Sequence, residues 1–298
     1  LLMESKKHSI WEYQKEISKI QLHDLKNFAS GLYDSSFVEG FIFGNMRNDQ
    51  AEETVSTLLK NLDGEALNPE NIYQERVLQI EPGKTHSLVE KMEVENSAAV
   101  LEIQVDQNDP KLRVALMVLD TALQPLFYND LRTQQQLGYI VNSGMTELEK
   151  TLGMIFMVQS GKYDAATLEQ RIQDFLPGFI HSMAELSEKE LETFKQSVIN
   201  SKLQKSTSLS GEAGRLYNIA FEQDADFDYN SKELKILEKL TLDDLHQLIR
   251  NYLIQERRRV LSLHMVGKDH QLSQVGETKI ESVQDFKKNH PCPTFCLP

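Results

Sequence analysis

The sequence predicts an α+β chain that holds the tail of one domain followed by a complete second copy of it. Three observations carry this. Some segments repeat their apolar residues at helical spacing, while others alternate apolar and polar residues as half-buried strands do. The two ends of the chain share an internal repeat. Finally, 298 residues at 34.2 kDa, 40% hydrophobic and 26% charged, suit one large domain or two ordinary ones around a real core.

The repeat pairs Lys19-Ile20-Gln21-Leu22-His23-Asp24-Leu25 with Lys239-Leu240-Thr241-Leu242-Asp243-Asp244-Leu245, an offset of 220 residues. A polar gap follows in each copy, then an alternating stretch ending in glycine: Phe37 to Gly44 and Val260 to Gly267, offset by 223. A surface loop absorbs a slip of that size. Thr241 with Asp244 resembles a capping box, with Asp in place of the preferred Glu or Gln. The alternative is that any helix followed by a strand gives such a pattern. On the repeat reading, residues 1–65 end one domain, 66–275 form a complete copy and 276–298 are an extended tail.

Within the second copy, Ile72 to Ile80, Thr85 to Glu93 and Ala98 to Val105 read as strands, with Glu81-Pro82-Gly83-Lys84 as a turn. Pro110 marks a helix start. From Lys111 to Leu137 the apolar positions have helical spacing, and Leu112 to Leu126 is apolar almost all round, so this helix is expected at the centre. Pro125 should kink it or divide it, and Gly138 stands where a C-terminal cap glycine belongs. Ile140 to Ser143 and Leu152 to Gln159 are expected strands. Helices are expected from Asp164 to about Phe221 and from Lys232 to Gln255, with a last strand from Arg259.

Lys+Arg number 32 against 45 Asp+Glu, a formal charge of −13, which argues against binding a phosphate backbone. The longest apolar run, Val114 to Leu119, falls far short of the roughly 20 residues that span a bilayer. The first residues lack a secretory signal's basic start and cleavage site. They also do not look like a native beginning, so the chain reads as a piece of something longer. A soluble protein is expected, cytoplasmic or, in a bacterium, periplasmic; oligomerisation stays open.

Chemistry is sparse. No two of the eight histidines lie four residues apart, so neither H-E-x-x-H nor H-x-x-E-H is present, and no nucleophile elbow, phosphate loop or dinucleotide fingerprint occurs. His86 and Glu90 share a related spacing, but in a strand they are too far apart for one ion. Arg257-Arg258-Arg259 reads as a solvated loop. In the tail, His290, Cys292 and Cys296 could be three of the four ligands of a zinc site. A fourth is missing, so free thiols are the default and a local disulfide the alternative.

The informative stretch is Leu131-Arg132-Thr133-Gln134-Gln135-Gln136-Leu137-Gly138-Tyr139-Ile140-Val141. A long helix should end at Gly138, with Tyr139 at the junction to a strand and Arg132 two turns back on one face, two turns covering about 7.2 residues. A guanidinium and a phenol so placed could donate to the carbonyls of an extended peptide. Read more plainly, they are a helix-end arginine and a packing tyrosine.

This L-R-T-x-x-x-L-G-Y-I-V segment closely resembles a hallmark of the last domain of the insulinase (pitrilysin) family. The opening Leu1-Leu2-Met3, the Leu22 to Phe28 helix, Gly44-Asn45, Pro125 before Leu126-Phe127, and Gln223 to Phe227 agree with it. The resemblance spans nearly the whole chain and weakens after Gly267. It implies domains made of a mostly antiparallel sheet packed on helices, four to a molecule, in two halves that close around a peptide. In that family, zinc and the catalytic glutamate come from H-x-x-E-H in the first domain, which this sequence lacks. The resemblance therefore implies a non-zinc C-terminal half of a zinc metalloendopeptidase, with no metal or catalytic residue of its own. Its partners would be the N-terminal half and a peptide substrate. Arg132 and Tyr139 match the family residues that reach the substrate main chain beside the zinc, positioned by Gly138. The acidity of the chain departs from the basic inner surface of some members, so substrate preference does not transfer. Two rivals remain: a scaffold that has lost catalysis, or a subunit that partners a separately encoded zinc half.

Overall fold

The computed structural model describes residues 2–62, 64–73, 75–272 and 278–290; Cys292 and Cys296 lie outside them. Two compact units emerge, one of residues 6–75 with 205–229, the other of residues 2–5, 76–204 and 230 onward.

The first unit is mostly helical. In α1 (Ile10–Ile17) a reciprocal cap joins Ser9 and Glu12. At the start of α2 (Leu22–Ser30) the Gln21 N–H donates to the Asp24 carboxylate over 2.9 Å. A two-residue parallel ladder joins β1 (Ser35–Ser36) and β2 (Glu65–Ala66), on either side of α3 (Asn48–Lys60) in the sequence. Phe37 to Gly44, expected as a strand, forms no ladder. An extended segment is a strand only when a neighbour takes up its N–H and C=O groups, and no described strand lies beside this one. Both α2 and α3 bury none of their side chains, and Ile17, Leu22 and Phe28 are about two-thirds exposed.

The second unit is built on a six-stranded sheet. Its elements follow in chain order: β3 (Thr85–Lys91), β4 (Ser97–Gln107), α4 (Pro110–Phe127), β5 (Ile140–Leu148), β6 (Thr151–Ser160), α5 (Ala165–Ala184) and α6 (Glu188–Leu203). Then α7 (Leu209–Glu222) belongs to the first unit, and α8 (Tyr229–Lys239), α9 (Leu242–Leu248), β7 (Arg259–Val266), β8 (Thr278–Lys279) and α10 (Val283–Asn289) complete the second. The strand order is β5-β6-β4-β7-β3-β8, antiparallel from β5 through β7 and parallel at the β7-β3-β8 edge. The fold is thus α+β, as expected.

One sheet face packs on α4 and α5. Leu101 and Ile103 of β4, Leu116 and Leu119 of α4, and Phe156 of β6 are fully buried there. Successive strand residues face opposite sides, so while Val260 joins this core, Leu261 joins a second cluster with Leu78, Ile80, Ile280 and Phe286. That smaller cluster covers the β7 and β3 end of the opposite face. Towards β6, Val100, Ile155, Met157 and Leu263 stay half-buried on it.

Two expected features differ. The described residues of 72–80 are irregular except for one bridge between Val77 and Glu4. There the Gln104 amide does a strand's work, accepting from the Ile80 N–H at 2.9 Å and donating to the Leu78 carbonyl at 2.7 Å. The tail is not extended over 278–289. Ile280 and Phe286, apolar residues in a polar stretch, are buried in the second cluster and carry β8 and α10 with them.

Candidate functional site

The site begins with the helix α4, whose start is exposed. Asp109 caps it by accepting from the Lys111 and Leu112 N–H groups, and Pro110 takes the first helical position, where no N–H is needed. Apolar on nearly every side, α4 runs through the core. Pro125 lacks an N–H and is tolerated in its last turn, but beyond Phe127 the helix widens. Tyr128 to Gln134 form a π-helical turn in which the Gln135 N–H donates to the Asp130 carbonyl over 2.9 Å. Such insertions cluster at functional sites, because one extra residue re-aims the side chains after it.

The helix end departs from expectation. The left-handed residue is Gln136, with φ 52°, rather than Gly138. Leu137 then drops into the core and its N–H closes on the Leu131 carbonyl at 3.1 Å. Gly138 has a different duty: a Cβ there would lie 1.8 Å from the Gln159 carbonyl oxygen. Only glycine lets the chain pass so close to β6.

Tyr139 therefore leaves the body of the unit between an anchored Leu137–Gly138 and the first residue of β5. It is 87% exposed. The Arg132 guanidinium carbon lies 5.9 Å from the centre of its ring, a cation–π contact. The structure thus brings Arg132 and Tyr139 together, through a π-turn and a left-handed glutamine instead of a straight α-helix. Neither makes a hydrogen bond or ion pair with a described residue, so the five guanidinium donors and the phenol are all unspent.

Nearby chemistry is structural. Ser262 donates to Glu169 at 2.7 Å, and Glu169 also meets Nε2 of the buried His264. Here the carboxylate stands between serine and imidazole, so the His264 ring does not take the Ser262 proton as the imidazole of a catalytic triad does. Burial pushes the Glu169 carboxyl up, but the bonds from His264 and Ser262 outweigh it and hold it below the usual carboxylate range. Glu102, which the sequence pattern does not single out, lies on the sheet face opposite α4 without a described partner. Burial raises its pKa. Only the register of β4 reveals it. Recesses of about 380 Å³ beside Asp106, Lys111 and Tyr252 and about 460 Å³ beside Asp120, Met145 and Lys202 include neither Arg132 nor Tyr139. Tyr139 stands on open surface, with the half-buried Arg132 beside its ring.

A family model described as the PQQ synthase PqqF-like C-terminal lobe, domain 4, matches residues 118–217, which contain the pair. Insulin-degrading enzyme from Drosophila melanogaster is 25% identical over 273 residues, covering 89% of this chain and 28% of its own. The human insulin-degrading enzyme is also 25% identical, covering 87% of this chain and 26% of its own. Among solved structures, pitrilysin superposes with a TM-score of 0.83 at 21% identity over 97% of this chain and 31% of that one. A Pseudomonas fluorescens structure described as a peptidase M16 inactive domain gives 0.60 at 17% identity, over 87% of this chain and 61% of that one. The architecture is that of pitrilysin-type peptidase domains. The chain resembles the C-terminal half of insulinase-family (M16) proteins in sequence and in fold. It spans between a quarter and a third of the relatives' length.

Proposed function

We propose that this chain is the non-zinc C-terminal half of an insulinase-family zinc metalloendopeptidase, enclosing a peptide and donating hydrogen bonds to it beside a zinc site on an N-terminal half. The observation that carries this is the exposed Tyr139 beside the half-buried Arg132, with the donors of both unspent. Arg132 binds a main-chain carbonyl already present in the ground state. Tyr139 donates to the oxygen that gains charge as water attacks, where one preorganised donor is worth about 2.7–4 kcal/mol. Zinc in the other half would activate that water. The bare apolar faces of α1 to α3 support reading residues 1–65 as the end of a preceding, third domain whose remainder covers them; 66–275 are then the fourth.

The likeness to the inactive M16 domain favours a second reading, a peptide-binding scaffold. One experiment separates them. A fluorogenic peptide is offered to this chain alone and to the chain joined to its upstream half. The enzyme reading expects no cleavage alone and chelator-sensitive cleavage when joined. Joined protein that binds the peptide without cutting it is the scaffold.

A further inference from the structure

Glu102 is a half-buried carboxylate set among apolar side chains on the sheet face opposite α4. In register it lies between Ile155 of β6 and Leu261 of β7, and the next row on that face holds Val100, Met157 and Leu263. None of these side chains can donate to it. Burial therefore raises its pKa, and a carboxylate placed this way costs the fold stability without returning a contact.

Gly153 makes room beside it. A Cβ there would lie 2.7 Å from the Thr146 Oγ1 and 3.8 Å from the Glu102 Oε1. The bare glycine thus leaves a notch with a hydroxyl on one side and the carboxylate on the other. Those two groups are fewer ligands than a metal ion takes. They suit an ammonium or guanidinium group, which only donates.

The same face runs back to the Arg132–Tyr139 pair. Ile140, next to Tyr139, is opposite Gln159, which is opposite Ala98, and Glu102 lies four residues further along β4. Two strand spacings of about 4.8 Å and four rises of about 3.4 Å put Glu102 roughly 17 Å from Ile140. An extended peptide covers that distance in about five residues.

We propose that Glu102 is a specificity subsite for a lysine or arginine side chain of the bound peptide, about five residues from the carbonyl that Arg132 and Tyr139 hold. This rests on the peptide-binding reading above and adds what the peptide carries. The stem of the basic side chain lies along Val100, Ile155 and Met157, and its head meets the carboxylate over Gly153. The chain's charge of −13 draws such a peptide in from a distance.

The test walks a single lysine along a fluorogenic peptide, one position at a time on either side of the scissile bond, each peptide paired with one carrying norleucine there. With the chain joined to its upstream half, lysine about five residues from the cut should lower KM at least about 10-fold relative to norleucine, the scale of a charged hydrogen bond, and lysine elsewhere should not. Glu102→Gln should bring that ratio to one, and Glu102→Asp should keep part of it. Because the readout is a ratio, a general loss of activity does not imitate it. Binding of the same peptides to the full chain alone, followed by fluorescence anisotropy, needs no cleavage. If the joined protein cuts nothing, the endopeptidase reading falls, while the lysine-to-norleucine affinity ratio and its loss in Glu102→Gln still decide the subsite. A ratio near one at every position, a preference that survives Glu102→Gln, a preference of the chain alone that disappears when the upstream half is joined, or no peptide binding at all would each overturn it.

Discussion

Tyr139 owes its position to its neighbours. Leu137 is pinned in the core, Gly138 slides under the Gln159 carbonyl, and Ile140 starts a paired strand, so the phenol has nowhere to go but out. Gly138→Ala should therefore push the chain off β6 and cost about 1–3 kcal/mol, as overpacking does. Urea denaturation checks this, and unchanged stability would mean the close approach is dispensable. Arg132→Ala leaves packing alone and should weaken peptide binding, read as a raised KM in the joined enzyme. Glu102 carries a pH effect. Its folded pKa is raised by burial, so between its unfolded and folded values the native state holds the extra proton, and stability falls as pH rises through that window. Glu102→Gln should raise Tm at pH 7 and leave it unchanged near about pH 3, below both values. A variant that melts lower at pH 7 would show the carboxylate has a partner. At this scale the sequence pattern put Arg132 and Tyr139 side by side, as the structure does. It missed the π-turn, because a π-turn and an α-turn put apolar residues at nearly the same positions, and it gave the helix end to glycine although Gln136 adopts the left-handed conformation.

Elements were legible where their signals are local. The Thr241–Asp244 cap forms as read, and α2 begins where the Gln21 N–H meets the Asp24 carboxylate, so both segments of the repeat start a helix. The strand half holds only in β7, because pairing depends on a neighbour far away in sequence. Residues 72–80 failed as a strand for the same reason: Gln104, 24 residues on from Ile80, took the pairing role. Equally invisible was the group that ties the helices. Glu233 of α8, 1% exposed, meets Lys202 of α6 and the Arg113 Nε of α4, 3.1 Å away, while Arg113 also reaches Glu147 of β5. Breaking a buried pair strands the other charges and costs about 3–5 kcal/mol. Glu233→Gln should lose that much in urea denaturation. A loss under about 1 kcal/mol would place the network at the level of surface pairs.

At the scale of the whole molecule, no described helix is long and apolar enough to cross a membrane, and the charge of −13 disfavours nucleic acid. What remains is an α+β unit that presents two donors and keeps its buried carboxylates for structure. Kinetics of fluorogenic-peptide hydrolysis by the chain joined to its upstream half, parent against Tyr139→Phe, test the assigned role most directly. Removing the phenol oxygen spares the ring and its contact with Arg132. A hydrogen bond formed mainly in the transition state should therefore show as kcat reduced about 100-fold with KM nearly unchanged. Parent-level kcat in Tyr139→Phe, with stability and Arg132 contact intact, would contradict it.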